Sequence, residues 1–442
     1  MFQCGFYEKE ITPPLGCYIP GYYTMRVADG VRDKLYARAM AISNGEDTVV
    51  MMSLDMISVV EQVVEGILKR ASEYTGIPEE NMNVSCTHTH TGGPRPGMKD
   101  GVPQGDDAYE EHLIRIAGDC IILAVQNLEP ATLKFGTGCV DNISFNRVYN
   151  MADGHIQTAP DIGDPNVVEP NGPIDPELTV LYAESLSGKP LGTVVNFACH
   201  PDVVKGTKYS GDWPSIVAYR LKEQFGTDFI GFVINGTCGN INHVDVINGK
   251  EYPPSEHYIT MGNTVAAEAV KAIASSTPVE GSKIAGKKAT LTIPARTFEP
   301  ELLEWARHIV ATVKPIPGLT LGLNSGNQEQ EDLCTAKSLL HLYENRVDNY
   351  TRRVGSMRIG DVYFYSLPSE IFVQFGLYLK ENSPSRKNII AELSHGYSGY
   401  VPLKHLIFET VYESRRTSFP LEPGAGELMT ETALQLGKSL AD

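Results

Sequence analysis

Hydrophobic and polar positions change period repeatedly along the chain, and each change marks an element. Tyr36–Ser43 and Thr48–Leu54 read as two strands of a hairpin across Asn44-Gly45-Glu46-Asp47. Val59–Tyr74 predicts a helix, with Val60, Val63, Val64, Ile67, Leu68 and Ala71 on one face. A strand closing near Cys86 follows. Asp107–Leu128 predicts a second helix, Thr132–Phe135 a short strand, and Leu178–Ala183 with Leu191–Ala198 two strands around a Ser-Gly-Lys-Pro turn. Trp213–Phe225 predicts a helix with Asp212 as N-cap and Pro214 in its first turn, and Phe229–Ile234 a buried strand. Further helices are predicted at 255–274, 299–313, 330–349 and Ser369–Lys380. A second hairpin, 354–359 with 361–366, crosses Gly360-Asp361, and Ile389–Glu392 is the last strand. Pro160–Pro173 and Pro315–Gln330 read as loops. Strands and helices interleave throughout. The expected fold is therefore α/β, a mixed β-sheet core with helices on both faces, in a single large domain over residues 1–442.

Composition narrows the partners. A net charge of −17 argues against nucleic acid and against an anionic membrane surface, because both select basic patches. Residues 1–10 are too polar for a signal h-region, and no run of about 18 apolar residues occurs. No stable membrane association is expected, and the chain sets no oligomeric state. Eight cysteines (4, 17, 86, 120, 139, 199, 238 and 334) are widely spaced without a Cys-x-x-Cys pair, which is neither a disulfide framework nor a zinc ribbon. A reducing, cytoplasmic setting is the expectation.

Chemistry concentrates in a few segments. Cys86-Thr87-His88-Thr89-His90-Thr91-Gly92-Gly93 places two of only eleven histidines two residues apart. On a strand that spacing puts both rings on one face, fit for metal binding or acid–base work; in a polar loop it would mean nothing. Val194–Cys199 is an apolar strand leading into His200-Pro201, which puts an imidazole at the carboxyl edge of a sheet. Phe232–Asn242 runs from an apolar strand into a Gly- and Asn-rich loop, with Gly236 and Thr237, whose backbone could line a cleft. Leu367-Pro368-Ser369-Glu370 reads as a helix start, Ser369 capping and Glu370 in the first turn. Gly396-Tyr397-Ser398-Gly399-Tyr400 sets glycines between aromatics.

Taken in order, these motifs resemble the neutral/alkaline, non-lysosomal ceramidase family of zinc-dependent amidases. They are joined by Glu10-Ile11-Thr12-Pro13-Pro14-Leu15-Gly16, Leu35–Ala39, Phe145-Asn146-Arg147, Asp175–Leu178, Gly211-Asp212 and Gly239-Asn240. The resemblance extends over roughly residues 5–430. It implies a catalytic zinc held by His88, His200, Glu370 and Tyr400, with water completing the site, and it puts His90, Arg147 and Tyr412 around the reacting group. N and O donors with one open position suit zinc. The chain departs from the family in one place: glycine, Gly236, aligns with the family's serine, and Thr237 and Cys238 sit one and two positions off. An export signal and a trailing β-sandwich, usual in the family, are also not expected here.

The resulting expectation is a zinc-dependent hydrolase cleaving an amide, or an ester, of a small polar substrate by metal-activated water. His90 or Tyr400 would assist proton transfer, and His90, Arg147, Tyr412, Gly236 and Thr237 would meet the substrate in a polar pocket of modest size. Two alternatives stand beside it: a metal-dependent enzyme acting on a sugar or polyol by hydrolysis, elimination or isomerisation, and a non-catalytic ligand-binding relative.

Overall fold

A computed structural model describes residues 1–23, 25–95, 98–99, 102–103, 105–249, 253–317, 319, 321, 326–408 and 410–441. Two β-sheets lie face to face, and helices cover the outer side of each. The larger sheet contains β1 (Phe2–Glu10), β2 (Tyr36–Ser43), β3 (Thr48–Leu54), β4 (Met82–Cys86), β5 (Glu129–Cys139), β6 (Glu177–Ser185), β7 (Pro190–Phe197) and β8 (Ile230–Asn235). Its order is β8-β7-β6-β5-β1-β2-β3-β4, with Thr277–Pro278 paired beside β5. The smaller sheet is β9 (Ile284–Pro294), β10 (Asn349–Ile359), β11 (Val362–Ser366) and β12 (Lys387–Ala391), side by side in that order. The helices are α1 (Glu61–Thr75), α2 (Asp107–Gln126), α3 (Asp212–Phe225), α4 (Pro254–Ala274), α5 (Pro300–Thr312), α6 (Gln328–Glu344), α7 (Val373–Asn382) and α8 (Ala425–Ser439). Within these two sheets three strand pairs are parallel: β3–β4, β7–β8 and β11–β12. A parallel pair needs a long crossover, and α1, α3 and α7 supply one each.

Strand alternation builds the layers. In β2, Ala37, Ala39 and Ala41 face α1 and α2, whereas Met40 and Ile42 join Phe6, Phe364 and Ile389 between the sheets. Val180, Val195 and Val233 pack on Trp213, Val217, Met261 and Val265 of α3 and α4. On the far side, Tyr365 and Ile390 turn outward to Phe375, Leu379 and Met429 of α7 and α8. Strands buried on both sides read as near-continuous apolar runs rather than alternating ones.

The α/β class and the mixed sheet are as the sequence reading has them, with helices on both faces of the β core. That the core is two stacked sheets is new. Of these elements β1, β9 and α8 have no counterpart in the sequence reading; charged residues interrupt the alternation of β1 and β9. A small sheet of Val148–Met151, Ile156–Thr158 and Val167–Pro170 is also unexpected, its last strand lying inside the segment read as the Pro160–Pro173 loop. β5 runs eleven residues instead of the expected four because Gly136 and Gly138 do not end it. A Cβ on Gly136 would stand 2.1 Å from Ala272 O, so the glycine lets α4 lie close on the strand. The helix expected to reach residue 349 stops at Glu344, and Asn349 already opens β10. Of the expected Pro315–Gln330 loop, residues 318, 320 and 322–325 lie outside the described residues.

Candidate metal centre and active site

The site gathers where parallel strands end. β4, β7 and β11 stop at Cys86, Phe197 and Ser366, and the segments leaving them carry His88, His200 and Glu370. Carboxyl edges of parallel strands are where such sheets bind ligands. Asn196 joins the two sheets there: its amide nitrogen donates to Ile234 O at 2.7 Å and Ile390 O at 2.8 Å, and its oxygen accepts from Ile390 N at 2.9 Å.

Two expected local conformations differ from the observed ones. His88 and His90 do not share a strand face, because β4 ends at Cys86 and His88 has φ 75°. This turn, not strand alternation, brings the two rings to 4.9 Å between centroids. Ser369 is not a helix cap. It has φ 72°, Glu370–Ile371 pairs in parallel with Tyr400–Val401, and α7 begins only at Val373. Left-handed backbone at a non-glycine residue costs of order 1–3 kcal/mol. Here it is held by His88 N donating to Met56 O at 2.9 Å and by Ser398 N donating to Ser369 Oγ at 3.1 Å.

Three ligand-type atoms then converge. His88 Nε2 lies 2.9 Å from His200 Nε2, and Glu370 Oε2 lies 3.0 Å and 3.2 Å from them. His88 Nδ1 is 2.7 Å from Ile57 O, and His200 Nδ1 is 3.0 Å from Cys238 O. A carbonyl only accepts, so each Nδ1 carries its ring's proton and each Nε2 presents a lone pair. Two lone pairs and a carboxylate oxygen at these distances repel unless a positive charge sits among them. Glu370 Oε2 accordingly is buried with no hydrogen-bond partner among the described residues.

Burial and neighbouring charges set the protonation of the same groups. Burial works against a charged His88, but Glu370 outweighs it and raises the imidazole's pKa. His200 falls to about 4 through burial and then the charge of Arg147. Burial, then His88, drives His90 well below the ordinary range. Burial opposes the Glu370 carboxylate, yet positive charge at the neighbouring His88 holds it well below its usual range.

His88, His90 and His200 form a three-histidine group whose ligand-type nitrogens lie within 4.8 Å of one another. His90 differs from the other two: its Nε2 is 3.4 Å from His88 Nε2, but its Nδ1 is buried without a partner among the described residues. Nothing there fixes its tautomer. The ring of Tyr400 stacks on His200 at 6.4 Å, and Arg147 lies 5.4 Å over that tyrosine ring. Burial and then Glu370 raise the Tyr400 phenol well above its ordinary pKa, so the proton stays on unless a cation displaces it. Tyr412 meets Tyr400 edge-on at 5.6 Å. His88, His90, Arg147, Glu370, Tyr400 and Tyr412 all line one cleft of about 1390 Å³. This volume exceeds the roughly 300–1,000 Å³ of ordinary ligand pockets, so the pocket is not of the modest size expected.

Gly236 and Thr237 are not among the residues lining that cleft. Thr237 Oγ1 instead lies where a side chain on Gly376 of α7 would sit, 2.1 Å from such a Cβ. A Cβ on Gly236 would meet Ala198 Cβ at 3.0 Å. Gly236→Ser is thus expected to cost about 1–3 kcal/mol through overpacking and to leave activity no higher, as thermal unfolding and assay would show. Cys238 is buried; its Sγ donates to Glu392 Oε1 at 2.8 Å, and its N donates to Glu392 Oε2 at 2.9 Å. Burial and Glu392 push the thiol well above its ordinary pKa, the reverse of what a nucleophile needs.

Several residues of the site were not singled out from sequence. Tyr397 Oη donates to Glu370 Oε1 at 2.7 Å. Glu413, fully buried, accepts from Arg147 Nε at 2.7 Å and from Thr158 Oγ1 at 2.5 Å, while Arg147 Nη2 donates to Gly239 O at 2.8 Å. Tyr397 lay inside a quoted motif and Glu413 beside Tyr412, but neither spacing signals its partner.

The sequence profile described as neutral/alkaline non-lysosomal ceramidase, N-terminal, matches residues 2–233, more than half of the chain. The chain belongs to the neutral/alkaline non-lysosomal ceramidase family. His88, His90, Arg147 and His200 fall within the matched residues; Glu370, Tyr400 and Tyr412 lie beyond them. This ceramidase-family chain is 25% identical over 221 residues to neutral ceramidase B of Dictyostelium discoideum, covering 45% of the chain and 28% of that protein. It is 24% identical over 236 residues to neutral ceramidase A of the same organism, covering 49% and 31%. The match therefore spans less than a third of either relative's length. Its fold is that of the crystal structure of neutral ceramidase from Pseudomonas aeruginosa, with TM-score 0.74 and 16% identity over 99% of this chain and 74% of that one. A ceramidase complexed with C2 gives TM-score 0.72 and 17% identity, over 100% and 75%.

Proposed function

We propose that the protein is a zinc-dependent hydrolase that cleaves an amide bond of a polar substrate with metal-activated water. The observation that carries this reading is the convergence of His88 Nε2, His200 Nε2 and Glu370 Oε2, with both Nδ1 protons committed to carbonyls. These three, with Tyr400, would hold the metal. His90, without such a carbonyl, is better placed to exchange a proton than to ligate. A zinc ion bound there would lower the pKa of its water to about 7 and polarise a carbonyl.

The remaining roles belong to side chains. Imidazole His90, kept neutral by burial, accepts a proton from the attacking water and returns it to the leaving nitrogen. Arg147, clamped by Glu413 and Gly239 O, faces the ring of Tyr400 and favours negative charge developing beside it. Tyr412 packs against Tyr400 and closes that side. No serine is needed: Gly236 packs on Ala198 and Cys238 is tied to Glu392. Cys238→Ser is accordingly expected to keep most of its activity, since a hydroxyl also donates to Glu392; trapping an acyl group on Cys238 or Thr237 would defeat this mechanism.

Charged and hydroxyl side chains recur around the cleft, including Ser58, Asp161, Asp202, Lys205, Ser338 and His341. They offer partners to polar substituents, beside apolar Ile57, Ile162, Val246, Val310 and Leu340 on the same wall, so the lining is mixed rather than polar throughout, and the volume leaves room on both sides of the scissile bond. No described helix is long and apolar enough to cross a membrane. All eight cysteines are free. The test is hydrolysis by the zinc-loaded protein of N-acyl amino acids, N-acyl sugars, glycosides and detergent-solubilised ceramide. Faster turnover of water-soluble amides than of ceramide is expected. Rapid ceramide cleavage, or cleavage of glycosides alone, would overturn the reading.

A further inference from the structure

The cations around the cleft are not equivalent. Arg147 is paired with Glu413 at 2.7 Å, Arg352 with Glu61 at 2.6 Å, and Lys205 is drawn toward Asp202. Arg95 also lines the cleft, yet among the described residues it pairs with no carboxylate. Its Nη1 donates to the hydroxyl of buried Ser58 at 3.1 Å, and its guanidinium lies 4.6 Å over the ring of Tyr397. Asp161 and Glu344 line the same cleft without forming an ion pair with it. Ser58 and Tyr397 fix the guanidinium's position, and among the described residues its other donors meet no acceptor. A half-buried arginine oriented this way is already arranged for one planar anion.

Its position sets where that anion lies. Tyr397 Oη donates to Glu370 Oε1 at 2.7 Å, so a single aromatic ring separates Arg95 from the converging ligands. An anionic group held by Arg95 would therefore lie across that one ring from an amide carbonyl placed among those ligands. We propose that Arg95 is the residue that reads the substrate, binding a carboxylate close to the scissile amide, so that N-acyl amino acids are the preferred class. The proposal rests on the amidase reading above and adds the substrate's charge to it. It also separates this chain from an enzyme for ceramide, which is an N-acyl amino alcohol with a hydroxymethyl group where an amino acid has its carboxylate.

That contrast supplies the experiment. A panel of N-acetyl amino acids is assayed against the matching N-acetyl amino alcohols, using zinc-loaded wild type, Arg95→Gln and Arg95→Lys. Binding is measured separately by calorimetry with the uncleavable N-methanesulfonyl amino acids and amino alcohols. A charge-assisted hydrogen bond corresponds to about a 10–100-fold preference, so wild type should favour the acid of each accepted pair by that factor, chiefly through KM. Arg95→Gln should erase the preference while leaving rates on the alcohols and the metal content unchanged; Arg95→Lys should keep part of it. A merely structural role for Arg95 would instead lower both members of each pair together, and that result overturns the proposal. So does equal binding of the sulfonyl acid and alcohol by wild type. Selective binding of the sulfonyl acid, lost in Arg95→Gln, with no amide cleaved, would uphold Arg95 and defeat only the amidase reading.

Discussion

Alanine in place of His88 or His200 is expected to empty the metal site and remove hydrolysis while the protein still folds. Each imidazole supplies one of three atoms that converge within about the span of a single cation, and the nitrogen beside them, His90 Nε2 at 3.4 Å from His88 Nε2, belongs to a ring whose Nδ1 no carbonyl holds. Loss of one ligand should reduce metal from one equivalent to a trace after dialysis, and activity by at least the about 10²–10³-fold typical for removing one preorganised electrostatic group. The fold should survive, because both rings stand beyond the strand ends rather than within the cores. Ile57 O or Cys238 O then loses its donor, a cost of about 1–3 kcal/mol. Elemental analysis, assay and circular dichroism check this together. Full metal occupancy in either variant would mean that these atoms do not form the centre.

Glu413→Ala is expected to be the most destabilising single change near the site. Glu413 is fully buried and holds both Arg147 Nε and Thr158 Oγ1. Its removal leaves a buried guanidinium without its carboxylate, which costs about 3–5 kcal/mol. Replacing both charges, as Arg147→Met with Glu413→Leu, should recover much of that loss, because no unpaired charge then remains buried. Denaturant unfolding of the two variants measures both values. A loss under about 1 kcal/mol for Glu413→Ala would show that water already solvates Arg147, contrary to its burial.

Short-range pattern explains how much of this architecture could be read from the chain. The hairpin of β2 and β3 was legible to the residue, because Asn44-Gly45 marks the turn and the flanking runs alternate or are largely apolar. α1 and α3 were legible because an apolar stripe at the helical period needs no knowledge of its partner. β1 and β9 were not, since Glu8, Lys9, Glu10, Lys287 and Lys288 interrupt their alternation. β5 was cut short because Gly136 reads locally as a break, and its purpose, close approach of α4, lies more than a hundred residues downstream.

The chain by itself determined the α/β class, the apolar strands that lead to His88 and His200, and the identity of the side chains with metal-binding chemistry. These depend on residue type and on periods of two and 3.6, which neighbouring residues suffice to express. Only the tertiary structure decided that two sheets stack, that Asn196 ties their carboxyl edges together, and that Glu370 reaches histidines lying 170 and 282 positions away. It also decided that Ser369 takes a left-handed turn where a helix cap was expected, that Gly236 and Thr237 do not line the cleft, and that Arg95, of the three described arginines lining it, is the one that meets no carboxylate. Such outcomes follow from which surfaces bury one another. Burial is a property of the assembled core, and no window along the sequence contains it.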